Sequence, residues 1–176
     1  MNDSFFSYLH RLELIAFFSG YPLVYAIVLF ITGNIISQDK LKRKIVSLLP
    51  FAYALIGTLY LGFQLKILYP NYSIGYISES IHHPFLMLWG ISAILFWIPA
   101  IAKKPFISLL HSMVFFFILL TDIFQSSLSG VDKNIIRNDM KLYSYSLLLN
   151  AGAVITVILI HLLFTRLKLY KKPSAD

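Results

Sequence analysis

Residues 111–125 read HSMVFFFILLTDIFQ, and this stretch decides the fold. It is almost wholly aromatic and aliphatic. His111 stands at its start, and Asp122 and Gln125 stand near its end. Extended to Phe106–Ser127 it matches the ~20 apolar residues a helix needs to cross roughly 30 Å of hydrocarbon. An acid and an imidazole in such a segment are expected to turn away from lipid, because a charge at mid-bilayer is costly.

Four further segments share this texture: Leu14–Ile36, Ile45–Gln64, Phe85–Ala102 and Tyr143–Thr165. The chain of 176 residues is 58% hydrophobic and 13% charged, with a mean hydropathy of +0.74. Soluble domains average about 45–50% apolar and about 25% charged. The expected fold is therefore all-α: one polytopic membrane domain over residues 1–176 with about five transmembrane helices. Strands are not expected, because lipid offers no partners to an open sheet edge. The first residues, MNDSFFSYLHRLELIAFF, have no basic start and no small-residue cleavage site, so the first segment reads as a retained span.

Charge sets the expected orientation. Lys40, Lys42, Arg43, Lys44, Lys103, Lys104, Arg166, Lys168, Lys171 and Lys172 fall on one side of a five-span chain. Arg11, Lys66, Lys133, Arg137 and Lys141 fall on the other. The richer side should be cytoplasmic. The N-terminus is then expected outside and the C-terminus inside, in a bacterial inner membrane. The net charge of +7 is explained by juxtamembrane clusters that suit topology and anionic lipid. Direct nucleic-acid binding is not expected. The expected partners are the bilayer itself and a second copy or another protein at the basic cytoplasmic loops.

Helical spacing groups the polar residues. His111, Phe115, Ile118, Asp122 and Gln125 fall at intervals of four and three, and so share a face. Asn150, Val154, Val157 and His161 repeat the pattern in the last span. The two spans run in opposite directions, which predicts Asp122 facing Asn150 and His111 facing His161. Such a stripe serves either as interhelical hydrogen bonding or as a polar track for an ion or proton. In the first span, Gly20 and Pro22 predict a kink, since proline removes one helical hydrogen bond and crowds the carbonyl of Phe18. Tyr21 and Tyr25 share one face there, and Tyr53 and Tyr60 share one in the second span. They line either a packed seam or a narrow aromatic pocket.

Several chemistries are excluded or unsupported. The chain has no cysteine, which rules out disulfides, thiolate metal sites and a cysteine nucleophile. No HExxH, GxSxG or phosphate-binding glycine loop occurs. Glu79, His82 and His83 have one-face spacing, but Pro84 biases His83 away from helix, so no metal site or cofactor is expected. Asn71-Tyr72-Ser73 matches a glycosylation acceptor, a motif frequent by chance.

The size, the lack of cysteine, the Phe/Ile/Lys-rich texture and the basic loop Asp39-Lys-Leu-Lys-Arg-Lys44 together resemble the small multi-span accessory membrane proteins encoded beside type VI-B CRISPR effectors. The resemblance carries no diagnostic motif, and no site residue transfers with it. It implies a regulator of RNA-guided antiviral defence rather than an enzyme. The leading expectation is thus a non-enzymatic accessory or regulatory subunit. The alternatives are a small transporter or channel built on the stripe, and a lipid-modifying membrane enzyme.

Overall fold

The computed structural model describes residues 12–32, 40–70, 84–128 and 133–170. Asn71, Glu79, His82 and His83 lie outside them. No strand occurs among the described residues. The helices are α1 (12–18), α2 (Tyr21–Thr32), α3 (Lys40–Leu68), α4 (Pro84–Ser92), α5 (Pro99–Ala102), α6 (Pro105–Leu128) and α7 (Lys133–Tyr170), with a 3-10 stretch, Ala93–Trp97, between α4 and α5.

Among the described residues, four helical segments are long and apolar enough to cross a membrane: Leu12–Thr32, Lys42–Leu68, Pro105–Gln125 and Met140–Leu167. Five were expected. The third, Phe85–Ala102, is not one continuous helix but α4, the 3-10 stretch and α5 in succession. The cause is local. Ile98 precedes Pro99, whose ring disfavours a helical conformation in the residue before it. Ile98 is accordingly extended at φ −74° and ψ 118°. Pro99 then opens α5 in the first turn, where its missing N–H costs nothing.

α1 and α2 are separated at Ser19-Gly20, where the backbone turns. Gly20 accepts the first bond of α2, from Val24 N at 3.2 Å, so Pro22 falls in the first turn of α2. Ser19 donates its hydroxyl back to the carbonyl of Ile15 at 2.7 Å.

Contacts along the helices give their directions. Gln64 donates to Glu13 at 3.2 Å, Phe18 packs on Tyr60 and Tyr53, and Tyr21 packs on Tyr53. Rising numbers in α1–α2 meet falling numbers in α3, so the two are antiparallel. On α6, Ser108 meets Tyr21 and Phe115 stacks on Phe18. α6 therefore runs with α3. α7 starts only a few residues later and returns along α6, with Tyr143 against Phe116.

The core is aromatic. Phe18, Tyr21, Tyr25, Tyr53, Tyr60 and Phe115 are all essentially inaccessible. The outside is apolar too: Phe30, Ile31, Phe85, Phe124, Leu148 and Leu163 stand well exposed on several helices. Monomeric soluble proteins rarely expose large apolar patches. An exterior of this kind on helices of this length suits a bilayer.

Candidate functional site

Two clusters of hydrogen-bonded polar groups join helices inside the bundle. The first is built around His111. Its Nδ1 lies 2.7 Å from the Tyr53 hydroxyl, and its Nε2 lies 2.8 Å from Ser92 Oγ. Trp89 stacks on the imidazole with ring centroids 4.6 Å apart and planes 4° from parallel. The Trp89 indole N–H donates to the His111 carbonyl at 3.2 Å. Phe96 meets the imidazole edge-on at 5.7 Å. Three segments (α3, α4 with its 3-10 continuation, and α6) thus converge on one ring.

Hydrogen counting sets the direction of the bonds. Ser92 has one hydroxyl hydrogen, and at 2.6 Å it is given to the carbonyl of Trp89. Ser92 Oγ must then accept from His111 Nε2–H. Nδ1 is left as the acceptor for the Tyr53 hydroxyl. The chain runs from Tyr53 through His111 and Ser92 and ends on a backbone carbonyl. It describes a neutral imidazole held by both nitrogens and by one face. One turn earlier on α6 the pattern recurs. Ser108 donates to Pro105 at 2.6 Å and so accepts from Tyr21 at 2.8 Å.

The second place is the break between α1 and α2. In a continuous helix Gly20 N–H would donate to the carbonyl of Ala16, and Phe17 would accept from Tyr21 N–H. Here Gly20 N–H donates to Ser146 Oγ at 2.9 Å, and Phe17 accepts from Asn150 Nδ2 at 2.9 Å. Asn150 also donates to the carbonyl of Ser146 at 2.8 Å. Both α7 side chains are buried, and they replace helical bonds lost at the turn. Asn150→Leu combined with Ser146→Ala should therefore cost about 2–3 kcal/mol, since two buried backbone groups lose their partners. Unfolding in mixed detergent micelles would measure it. A double variant as stable as the parent would show that neither bond holds the turn.

No known protein family, curated protein or solved structure matches the chain.

The facing stripe is not what the structure brings together. His111 meets Tyr53, Ser92 and Trp89 rather than His161, and Asn150 meets the α1–α2 break rather than Asp122. His161 is half-buried on α7, and no hydrogen bond to its ring occurs among the described residues. Asp122 is half-buried and Gln125 exposed, toward the end of α6. Helical spacing fixes which residues share a face, but not which neighbour that face meets. In this bundle α6 turns His111, Phe115 and Leu119 inward to the aromatic core. α7 turns Asn150 to the first span.

The four tyrosines form a packed seam. Tyr21 lies 4.4 Å from Tyr53 and 6.0 Å from Tyr25, centroid to centroid, and Phe18 bridges Tyr53 and Tyr60. Tyr21 and Tyr53 have hydroxyl partners. The buried Tyr25 and Tyr60 hydroxyls and Asn150 Oδ1 have none among the described residues. Trp89 and Ser92, which complete the His111 cluster, were not singled out by sequence. Their signal was the i, i+3 spacing of two polar-capable residues in an otherwise apolar segment. No group of three or more metal-ligating side chains occurs among the described residues.

Proposed function

We propose that the protein is a non-enzymatic accessory or regulatory subunit of a bacterial inner membrane. Its bundle serves as a rigid mount for basic cytoplasmic ends. The observation that carries this reading is the closure of His111. A histidine that relays protons needs a nitrogen open to water or to a second carrier. Here both nitrogens are taken by Tyr53 and Ser92, and the chain of bonds stops at a helix carbonyl. The buried polar groups act as fasteners between helices.

In this reading the third segment crosses as a broken span. Gly90 lies beside Tyr60 and Ala93 beside Gly57, while Phe96 lies against Tyr53. The segment so descends along α3, antiparallel to it. Five crossings put the N-terminus outside and the C-terminus in the cytoplasm, with the basic excess inside. The sites offered to a partner are then the start of α3, Lys103-Lys104 and the end of α7. The resemblance to accessory proteins of RNA-guided defence gives that partner a class, a nuclease effector at the inner face.

The purified protein in sealed vesicles should pass no protons or alkali cations above the level of empty vesicles under an imposed gradient. A flux that disappears in a folded, inserted His111→Phe variant would overturn the accessory reading in favour of transport.

A further inference from the structure

Between α3 and α7 lies a groove of about 290 Å³ lined by Leu55, Leu59, Leu148, Leu149, Gly152, Ala153 and Thr156. Its walls are apolar. The one hydroxyl, that of Thr156, donates to the carbonyl of Gly152 at 2.8 Å within α7 and so has no need of a polar ligand. Gly152 forms the floor on the α7 side, and a Cβ placed there meets nothing within 4 Å. Leu59 and Leu148 stand exposed at its edges, so the groove opens to the surface that faces lipid.

The helices that form the groove share a second property. α3 and α7 are antiparallel, because α6 runs with α3 and α7 returns along α6. The start of α3 and the end of α7 therefore lie at the same side of the bundle. Lys42, Arg43 and Lys44 occupy the first, with no acid in that first turn. Arg166 occupies the second, and Arg43, Lys44 and Arg166 are exposed. Lys44 is eleven residues before Leu55, and Arg166 is ten after Thr156. Both intervals are about 15 Å at helical rise, the scale of half a hydrocarbon layer.

We propose that this groove holds an acyl chain of an anionic phospholipid whose headgroup sits against Lys42, Arg43, Lys44 and Arg166. The inference rests on insertion in a bilayer and not on the accessory reading. An apolar groove at hydrocarbon depth is met first by lipid tails. A helix with its side chains is about 10–12 Å across, too wide for a space of this volume, whereas one tail is narrow. The basic clusters supply the choice among lipids. Guanidinium and ammonium groups bind phosphate through charge-assisted hydrogen bonds, and cationic clusters at the membrane surface attract anionic headgroups.

The test uses the full-length protein purified in detergent and titrated with phosphatidylglycerol, with phosphatidylcholine of the same chains, and with inorganic phosphate, read by native mass spectrometry. Phosphatidylglycerol should bind at least tenfold tighter than phosphatidylcholine, and inorganic phosphate far more weakly. Gly152→Leu, which fills open space, should weaken both lipids about tenfold. Lys44→Gln with Arg166→Gln should remove the preference for phosphatidylglycerol and leave phosphatidylcholine unchanged. If Gly152→Leu fails to fold, Thr156→Leu narrows the same groove from one turn away.

Equal binding of the two lipids, or binding unaltered by the groove-filling variant, would overturn the proposal. So would phosphate binding as tight as that of phosphatidylglycerol, which would mark a headgroup site alone. Dissociation of a dimer by Gly152→Leu, with lipid binding intact, would assign the groove to a second copy and overturn it likewise.

Discussion

Gly20→Ala should destabilise the protein by about 3 kcal/mol or more, while Gly152→Ala should leave it within about 0.5 kcal/mol of the parent. A Cβ at Gly20 lies 2.6 Å from the backbone nitrogen of Leu147 and 2.6 Å from the carbonyl carbon of Ser146. These are backbone atoms in the middle of α7 and cannot swing aside as a side-chain tip can. The first span and α7 would have to separate. That movement would also lengthen the Gly20–Ser146 and Phe17–Asn150 bonds, which replace the helical bonds lost at the turn. At Gly152 the added methyl enters open space, and alanine is the better helix former. Gly57→Ala is intermediate, since its Cβ would meet the Ala93 Cβ at 2.8 Å and the Ala93 carbonyl carbon and Ile94 nitrogen at 3.0 Å, a backbone contact less tight than that at Gly20. Unfolding of the three variants in mixed micelles gives the order directly. Equal stability of the Gly20 and Gly152 variants would mean that α1–α2 and α7 do not approach as closely as described.

The sequence made some of this legible, and the reasons differ by residue. Long apolar runs reveal helices because lipid imposes the same length rule on every span. The turn at Ser19-Gly20 lies where Gly20 and Pro22 weaken a helix, a local effect of backbone chemistry. The third segment was harder. Its composition over Phe85–Ala102 is as apolar as that of a span, yet the one pair Ile98-Pro99 interrupts it. Composition averages over a window, whereas a break needs only two residues. The partner of His111 was not legible at all. Periodicity places His111 with Phe115 and Asp122 on one face of α6. Which of several neighbouring helices that face meets depends on packing over the whole bundle. Sequence adjacency favoured α7, and the structure gives α3 and α4.

The same point explains why the polar residues were the least readable part. Lipid removes the hydrophobic drive between helices, so the bundle is ordered by close packing and by a few hydrogen bonds. Gly20 and Gly57 bring backbones together, and Ser146, Asn150, Ser92 and Tyr53 bond across the contacts thus formed. Each bond exists only because a close approach elsewhere places its two ends within reach. Residue type alone names the donors and acceptors but does not pair them.

The pairing at His111 gives the other large expected effect. His111→Phe should cost about 2 kcal/mol. The new ring still lies against Trp89, but the buried Tyr53 hydroxyl loses its acceptor and Ser92 Oγ loses a donor. His111→Ala should cost more, because the stacked face on Trp89 is lost as well. Tyr53→Phe should cost less than either, since it leaves only Nδ1 unpaired. The informative variant is the double change, Tyr53→Phe with His111→Phe. It removes both ends of one bond, so its cost should fall short of the sum of the singles. Interhelical hydrogen bonds in membranes average about 0.6 kcal/mol and reach about 1.7 kcal/mol. A buried 2.7 Å contact between oriented rings belongs in the upper part of that range. His161→Phe is the control. Its ring is half-buried and accepts no bond among the described residues, so its cost should stay within about 0.5 kcal/mol. Strict additivity of the Tyr53 and His111 changes would mean that the two side chains do not share a bond. A His161 cost equal to that of His111 would return the two histidines to the facing stripes that their spacing first suggested.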